Sequence, residues 1–270
     1  QQTGRLAEMR KYDSSLLQIV LQLKDTAGII AVYNRNGVYF QEMGKKEEAE
    51  NYYKLALGLG LEKAQSDKTA EVYSNLGSVA LSVGEKDKAI DWFFRALRLF
   101  EQNGQEKGMG ETYSNISSVY YLMGKTDDAI AYQQKSIAQR EKINDRNGLV
   151  ITYVNVGQLF ILKNNMPQSL QYLQKAVQYA EELKNPRLMA TAYSGMTAYA
   201  GRNKAYNEAL EWQNKAIRIF EEMGNKQVLS RLYVSAGNMA NATQDSVAAD
   251  SLYRKALVLS RELGNKENIG

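Results

Sequence analysis

The sequence predicts an all-α fold, a solenoid of stacked antiparallel helix pairs. Three observations carry that expectation: a repeat period of 40 residues kept without slip from Tyr33 to Tyr233, apolar residues at helical spacing inside each copy, and only 2 prolines in 270 residues. Helix formers dominate the rest of the composition and sheet signals are scarce.

Within each copy the first helix is marked by Tyr33, Tyr73, Tyr113, Tyr153, Tyr193 and Tyr233. Four residues later stand the small residues Gly37, Gly77, Ser117, Gly157, Thr197 and Gly237. The second helix carries Ala49, Ala89, Ala129, Ser169, Ala209 and Ala249, then Tyr52, Trp92, Tyr132, Tyr172, Trp212 and Leu252. In the second copy Ala89, Ile90, Phe93, Ala96, Leu97 and Phe100 fall on one helix face, as Tyr73, Leu76, Gly77 and Ala80 do on the helix before. Gly44, Gly84 and Gly124 close first helices in a left-handed conformation, with Asn164 and Asn165 at the same place in copy four; Gly104, Gly224 and Gly264 close second helices. Pro186 after Asn185 opens a first helix, and Pro167 is expected to open a second one. One helix pair cannot bury these seams alone, so each copy must stack on its neighbours.

The expected organisation is a helix over residues 1–25, around Leu6 to Leu23, that is the second helix of an incomplete copy; six copies over 26–263; and the start of a further copy over 264–270. Gly264-Asn265-Lys266 repeats the register of Gly224-Asn225-Lys226, which predicts that the array continues past Gly270 as an input or adaptor region of a larger protein. The chain opens at Gln1 with no initiator methionine, so an upstream segment is expected to have been removed, with an exported protein favoured over a cytoplasmic one.

With neither cysteine nor histidine, the chain has no thiolate or imidazole metal site, no disulfide framework and no catalytic Cys–His or Ser–His–Asp set. The expectation is a protein that is not an enzyme and needs no cofactor. A net charge of +4, spread among interspersed acids and bases, gives no nucleic-acid stripe, and the aromatics sit in packing columns, not on a stacking platform. No stretch has the length of uninterrupted apolar residues a membrane span needs, so direct membrane insertion of this region is not expected. The run Gly104-Gln105-Glu106-Lys107-Gly108-Met109-Gly110 has the flavour of a phosphate loop, but no strand precedes it and it is placed in an inter-repeat turn. Asp127 and Asp128 belong to the first turn of a second helix, where negative charge favours the helix dipole.

The pattern Tyr73-x2-Leu76-Gly77-x2-Ala80-x8-Ala89-x3-Phe93-x2-Ala96 resembles the tetratricopeptide repeat, and Phe40 and Tyr120 restore the family's second aromatic in copies one and three. The family's period is roughly 34 residues, so these copies are lengthened. They are similar to the repeats of G-protein-signalling modulators, of bacterial peptide-responsive regulators and of the input regions of bacterial histidine kinases. The resemblance implies a right-handed superhelix whose first helices line a concave groove. It places Arg35, Asn75, Asn115, Asn155, Gly195 and Ser235 on the groove face, with Ser78, Ser118 and Gln158 beside them and Arg202 and Arg231 at further groove-facing positions.

An asparagine amide both donates and accepts, so a register of them suits the main chain of an extended peptide, while the arginines suit carboxylates. The same residues would also serve a solvated helix face or contacts between repeats. The function expected is a protein- or peptide-binding scaffold within a larger signalling or regulatory protein; the alternative is a ligand-sensing input domain of a bacterial sensor histidine kinase or transcription regulator.

Overall fold

The computed structural model describes residues 15–62 and 67–264, all of it helices and turns. Residues 1–14, 63–66 and 265–270 lie outside the described residues, and with them most of the expected N-terminal helix and the start of a seventh copy. The chain divides into two compact units, Gln1–Ile143 and Asn144–Gly270.

In the first unit a helix over 15–22 (α1) precedes α2 (Thr26–Glu42), α3 (Lys46–Glu62), α4 (Asp67–Ser82), α5 (Lys86–Gln102), α6 (Glu106–Leu122) and α7 (Thr126–Lys142). The second unit holds α8 (Arg146–Leu162), α9 (Met166–Leu183), α10 (Pro186–Arg202), α11 (Tyr206–Glu222), α12 (Lys226–Ala242) and α13 (Ser246–Glu262). Each even-numbered helix packs on the odd-numbered one that follows, and pairs stack through contacts such as α3 with α4 and α11 with α12. First helices also touch each other: α2 with α4 and α4 with α6 in the first unit, α8 with α10 in the second. Among the described residues no helix is long and apolar enough to cross a membrane.

The turns repeat one device. Gly44, Gly84, Gly104, Gly124, Gly224 and Gly264 take positive φ, and so do Lys24, Asn144, Asn164, Lys184, Lys204 and Gln244, where glycine is absent. At Gly84 the motif is complete: its N–H bonds the Leu81 carbonyl at 3.0 Å and the Glu85 N–H reaches back to Ala80 at 2.9 Å, satisfying carbonyls the helix end would orphan. Starts are capped by side chains where the sequence permits. Asp145, Asn165, Asn225 and Asp245 each accept the backbone N–H three residues on, and Asn185 accepts from Arg187 and Leu188.

Two turn expectations shift. Pro167 is the second residue of α9, because Asn165 is the cap and Met166 the first residue; its missing N–H is harmless there, since N–H groups of the first turn have no intrahelical partner. The glycine run at 104–110 is mostly helix: α6 begins at Glu106, and Gly108 is needed because a Cβ would meet the Phe100 ring at 2.5 Å.

The columns pack as pairs of rings and small residues. Tyr73 stacks on Trp92 with centroids 5.5 Å apart, and Phe40 on Tyr52, Tyr120 on Tyr132 and Phe160 on Tyr172 do likewise. Gly37, Gly77, Gly157 and Gly237 each lie under the side chain sixteen residues later, respectively Tyr53, Phe93, Leu173 and Tyr253. Where the small residue has a Cβ, the opposing side chain is a buried glutamine. Ser117 pairs in register with Gln133, and Thr197 with Gln213.

Candidate functional site

The first helices of the first unit carry a polar concavity of about 260 Å³. Asn34 of α2, Ser74, Asn75 and Ser78 of α4, and Thr112 and Asn115 of α6 line it, with Glu71 and Glu111 at its rim and Phe100 from α5 at its floor. Helical spacing explains the gathering: Glu71, Ser74, Asn75 and Ser78 recur every three or four residues on one face of α4, Glu111 and Asn115 occupy the register of Glu71 and Asn75 on α6, and Thr112 stands beside Glu111.

Three of the sequence-predicted residues, Asn75, Ser78 and Asn115, thus line one concavity. Asn75 donates from Nδ2 to Asn34 Oδ1 at 2.7 Å, across 41 residues of sequence, so part of its hydrogen-bonding capacity makes a contact between repeats. Asn34 is itself buried, at 8% exposure. It stands one residue before Arg35, off the column that the repeat register singles out, and its only sequence signal is the Asn34-Arg35-Asn36 cluster. The neighbouring Asn36 is spent on its own helix, donating to the Val32 carbonyl at 3.0 Å.

Ser78 Oγ donates to the Ser74 carbonyl at 3.0 Å, and Ser118 Oγ to the Ser114 carbonyl at 3.1 Å. Each hydroxyl therefore turns its donor onto its own helix and leaves lone pairs for acceptance. Among the described residues the Asn115 amide meets no hydrogen-bond partner. At the rim, Lys68 Nζ holds the Glu71 carboxylate at 3.1 Å, while Glu111 is exposed.

In the second unit Asn155 is half-buried and Gln158 exposed on α8. Gly195, in the same register on α10, is packed instead of groove-lining: a Cβ there would meet Leu173 at 2.7 Å and Val154 at 3.3 Å. Arg35 is exposed on α2, Arg202 in the last turn of α10 and Arg231 on α12, and none lines the concavity. Among the described residues no group of three His, Cys, Asp or Glu side chains is placed to hold a metal ion.

A second polar system ties repeats together. Tyr113 Oη donates to Glu101 at 3.3 Å, Tyr193 to Glu181 at 2.8 Å, and Tyr233 to Glu221, each glutamate twelve residues earlier on the preceding helix. Burial, with the neighbouring carboxylate as hydrogen-bond acceptor and as charge, pushes the phenols of Tyr193 and Tyr233 up to about 12, and that of Tyr113 upward.

Sequence profiles of the tetratricopeptide repeat match residues 30–59 and 70–103, and residues 108–182 and 151–222. The chain belongs to the tetratricopeptide repeat family. Solved tetratricopeptide-like structures superpose on it at low identity. BtubC (BKLC) from P. vanneervenii does so with a TM-score of 0.69 at 18% identity, over 82% of this chain and 92% of that one. A signal transduction ATPase with numerous domains from Pyrococcus horikoshii, which has a tetratricopeptide repeat sensor, gives 0.75 at 16%, over 91% of this chain but 37% of its own length. The Rap conjugation gene regulator of plasmid pLS20, solved with the Phr* peptide, gives 0.62 at 13%, over 90% of this chain and 66% of that one. At these identities the likeness concerns the fold. No curated protein matches the sequence.

Proposed function

We propose that this tetratricopeptide array is a noncatalytic scaffold that binds an extended polypeptide segment across α2, α4 and α6. The observation that carries the reading is the concavity itself: amides and hydroxyls from successive first helices converge there, and the Asn115 amide is uncommitted. Asn115 offers a double donor and an acceptor, and Asn75 keeps its carbonyl and one N–H, which matches the alternating donors and acceptors of a peptide main chain. Glu111, exposed beside the concavity while Glu71 is held by Lys68, favours a segment with a basic side chain over an acidic one. Asn155 and Gln158 offer similar groups within the second unit. The peptide-bound Rap regulator supports the class of ligand.

The test is selection of binders from a displayed library of random linear peptides against the intact chain. Asn75→Ala combined with Asn115→Ala is expected to weaken the selected peptides about tenfold or more, as loss of two hydrogen bonds requires. Unchanged affinity in a variant that melts like the parent would end the proposal.

A second reading, a sensory input region attached to an effector, is favoured by the likeness to the tetratricopeptide sensor of the Pyrococcus horikoshii ATPase. It uses the same face and differs only in what the bound segment controls.

A further inference from the structure

A different pocket, of about 450 Å³, opens on α5 of the first unit and is lined by Tyr73, Asp91, Phe94, Arg95, Arg98 and Leu99. It shares no lining residue with the concavity described above. Its distinctive member is Tyr73. In the repeats of Tyr113, Tyr193 and Tyr233 the phenol donates to a glutamate twelve residues earlier. For Tyr73 that register position is Leu61, which has no carboxylate to offer. Tyr73 is 7% exposed, and among the described residues its hydroxyl meets no acceptor. The ring is buried but the hydroxyl reaches solvent through the cavity, so it lines the cavity as a donor that an entering ligand can engage.

The charges beside it suit an anion. Asp91 lies 3.0 Å from Arg95 Nε, and Arg95 sits over the Trp92 ring at 5.0 Å, so that guanidinium is already engaged. Arg98 is exposed on the same face and pairs with no acid among the described residues. Phe94, 37% exposed, and Leu99 supply apolar walls. The first copy also lacks the glutamate, having Leu21 twelve residues before Tyr33, but it carries Leu55 and Gly58 where the second has Arg95 and Arg98. The second copy therefore combines an orphan phenol with an available guanidinium.

We infer that this pocket is a second binding site, which takes a carboxylate from an acidic side chain of a partner polypeptide, with Tyr73 and Arg98 as donors. The incoming carboxylate does for Tyr73 what Glu101, Glu181 and Glu221 do for their tyrosines. Apolar residues flanking it in the partner cover Phe94 and Leu99. The inference stands apart from the peptide face of α2, α4 and α6, and the two fail independently.

Trp92 stacks on Tyr73 and reports on the pocket; with Trp212→Phe in the background it is the sole tryptophan of the chain. The probe is a capped pentapeptide with a central glutamate flanked by leucines, compared with its glutamine counterpart and with inorganic phosphate. The glutamate peptide is expected to change Trp92 emission saturably and to bind at least about tenfold tighter than the glutamine peptide. Arg98→Ala is expected to abolish that preference and Tyr73→Phe to reduce it severalfold, both in chains that melt as the parent does. Asn75→Ala with Asn115→Ala should leave it intact. Equal binding of the two peptides, no saturable response, or full preference in both pocket variants would overturn the inference. A response to phosphate as strong as to the glutamate peptide would overturn the carboxylate assignment.

Discussion

Gly77 lies so close to the ring of Phe93 that a Cβ on it would sit 2.7 Å from Cε1. The same contact recurs between Gly157 and Leu173, at 2.6 Å, and between Gly237 and Tyr253, at 2.5 Å. Helix pairs thus close on bare backbone, and a large side chain fills the space a Cβ would have taken. Gly77→Ala is expected to destabilise the chain by about 1–3 kcal/mol, measured as a fall in the denaturation midpoint.

The third copy shows the alternative solution. Ser117 replaces glycine, Gln133 replaces the ring, and Ser114 Oγ donates to Gln133 Oε1 at 3.3 Å. The second copy already has Ser74 in the register of Ser114. Gly77→Ser with Phe93→Gln should therefore lose less stability than the two single changes added together. Simple additivity in the double-mutant cycle would contradict the pairing.

The left-handed turns predict gains. Lys184, Lys204 and Gln244 hold φ of 51°, 59° and 63°, a region that costs an L-residue about 1–2 kcal/mol. Replacement by glycine relieves that strain and adds unfolded-chain entropy of about 0.4–1 kcal/mol. Each change to glycine is expected to raise stability by about 0.5–1 kcal/mol, and Gly84→Ala, at φ 86°, to lower it by a similar amount; thermal melting checks both.

The Tyr193 and Tyr233 phenols, raised to about 12 in the folded chain, hold their protons above the ordinary value of 10.0. Their stabilising contribution is fully present below pH 10 and is lost as pH rises towards 12, where the unfolded chain is ionised first. Alkaline titration followed by tyrosinate absorbance should show a late-ionising group of tyrosines. Glu181→Gln and Glu221→Gln should move its onset to lower pH by removing the charge that opposes ionisation.

Much of the fold was legible because the columns of Tyr33 through Tyr233 and of Ala49 through Ala249 keep one period, and stacking forces equivalent positions to equivalent places. The helix-ending glycines at 44, 84, 104, 124, 224 and 264 were readable for the same reason. What escaped lay between columns. The glycine-to-ring contact joins positions sixteen apart on two different helices, which no single helix face displays. Asn34 is set by the approach of α2 to α4, one residue out of the register that singles out Asn75 and Asn115. Gly108 looked like a turn residue because glycine signals either a turn or a close approach, and the Phe100 ring selects the second. The pocket at Tyr73 rests on a missing partner, Leu61 in place of glutamate, and a departure from a pattern carries meaning only after the pattern's contact is known.

The decisive experiment is the structure of the intact chain bound to a peptide selected for affinity. An extended peptide is expected to lie across α2, α4 and α6, with main-chain atoms about 3 Å from the Asn75 and Asn115 amides. A peptide seated on the second helices, with the Asn115 amide still unengaged, would contradict the proposal.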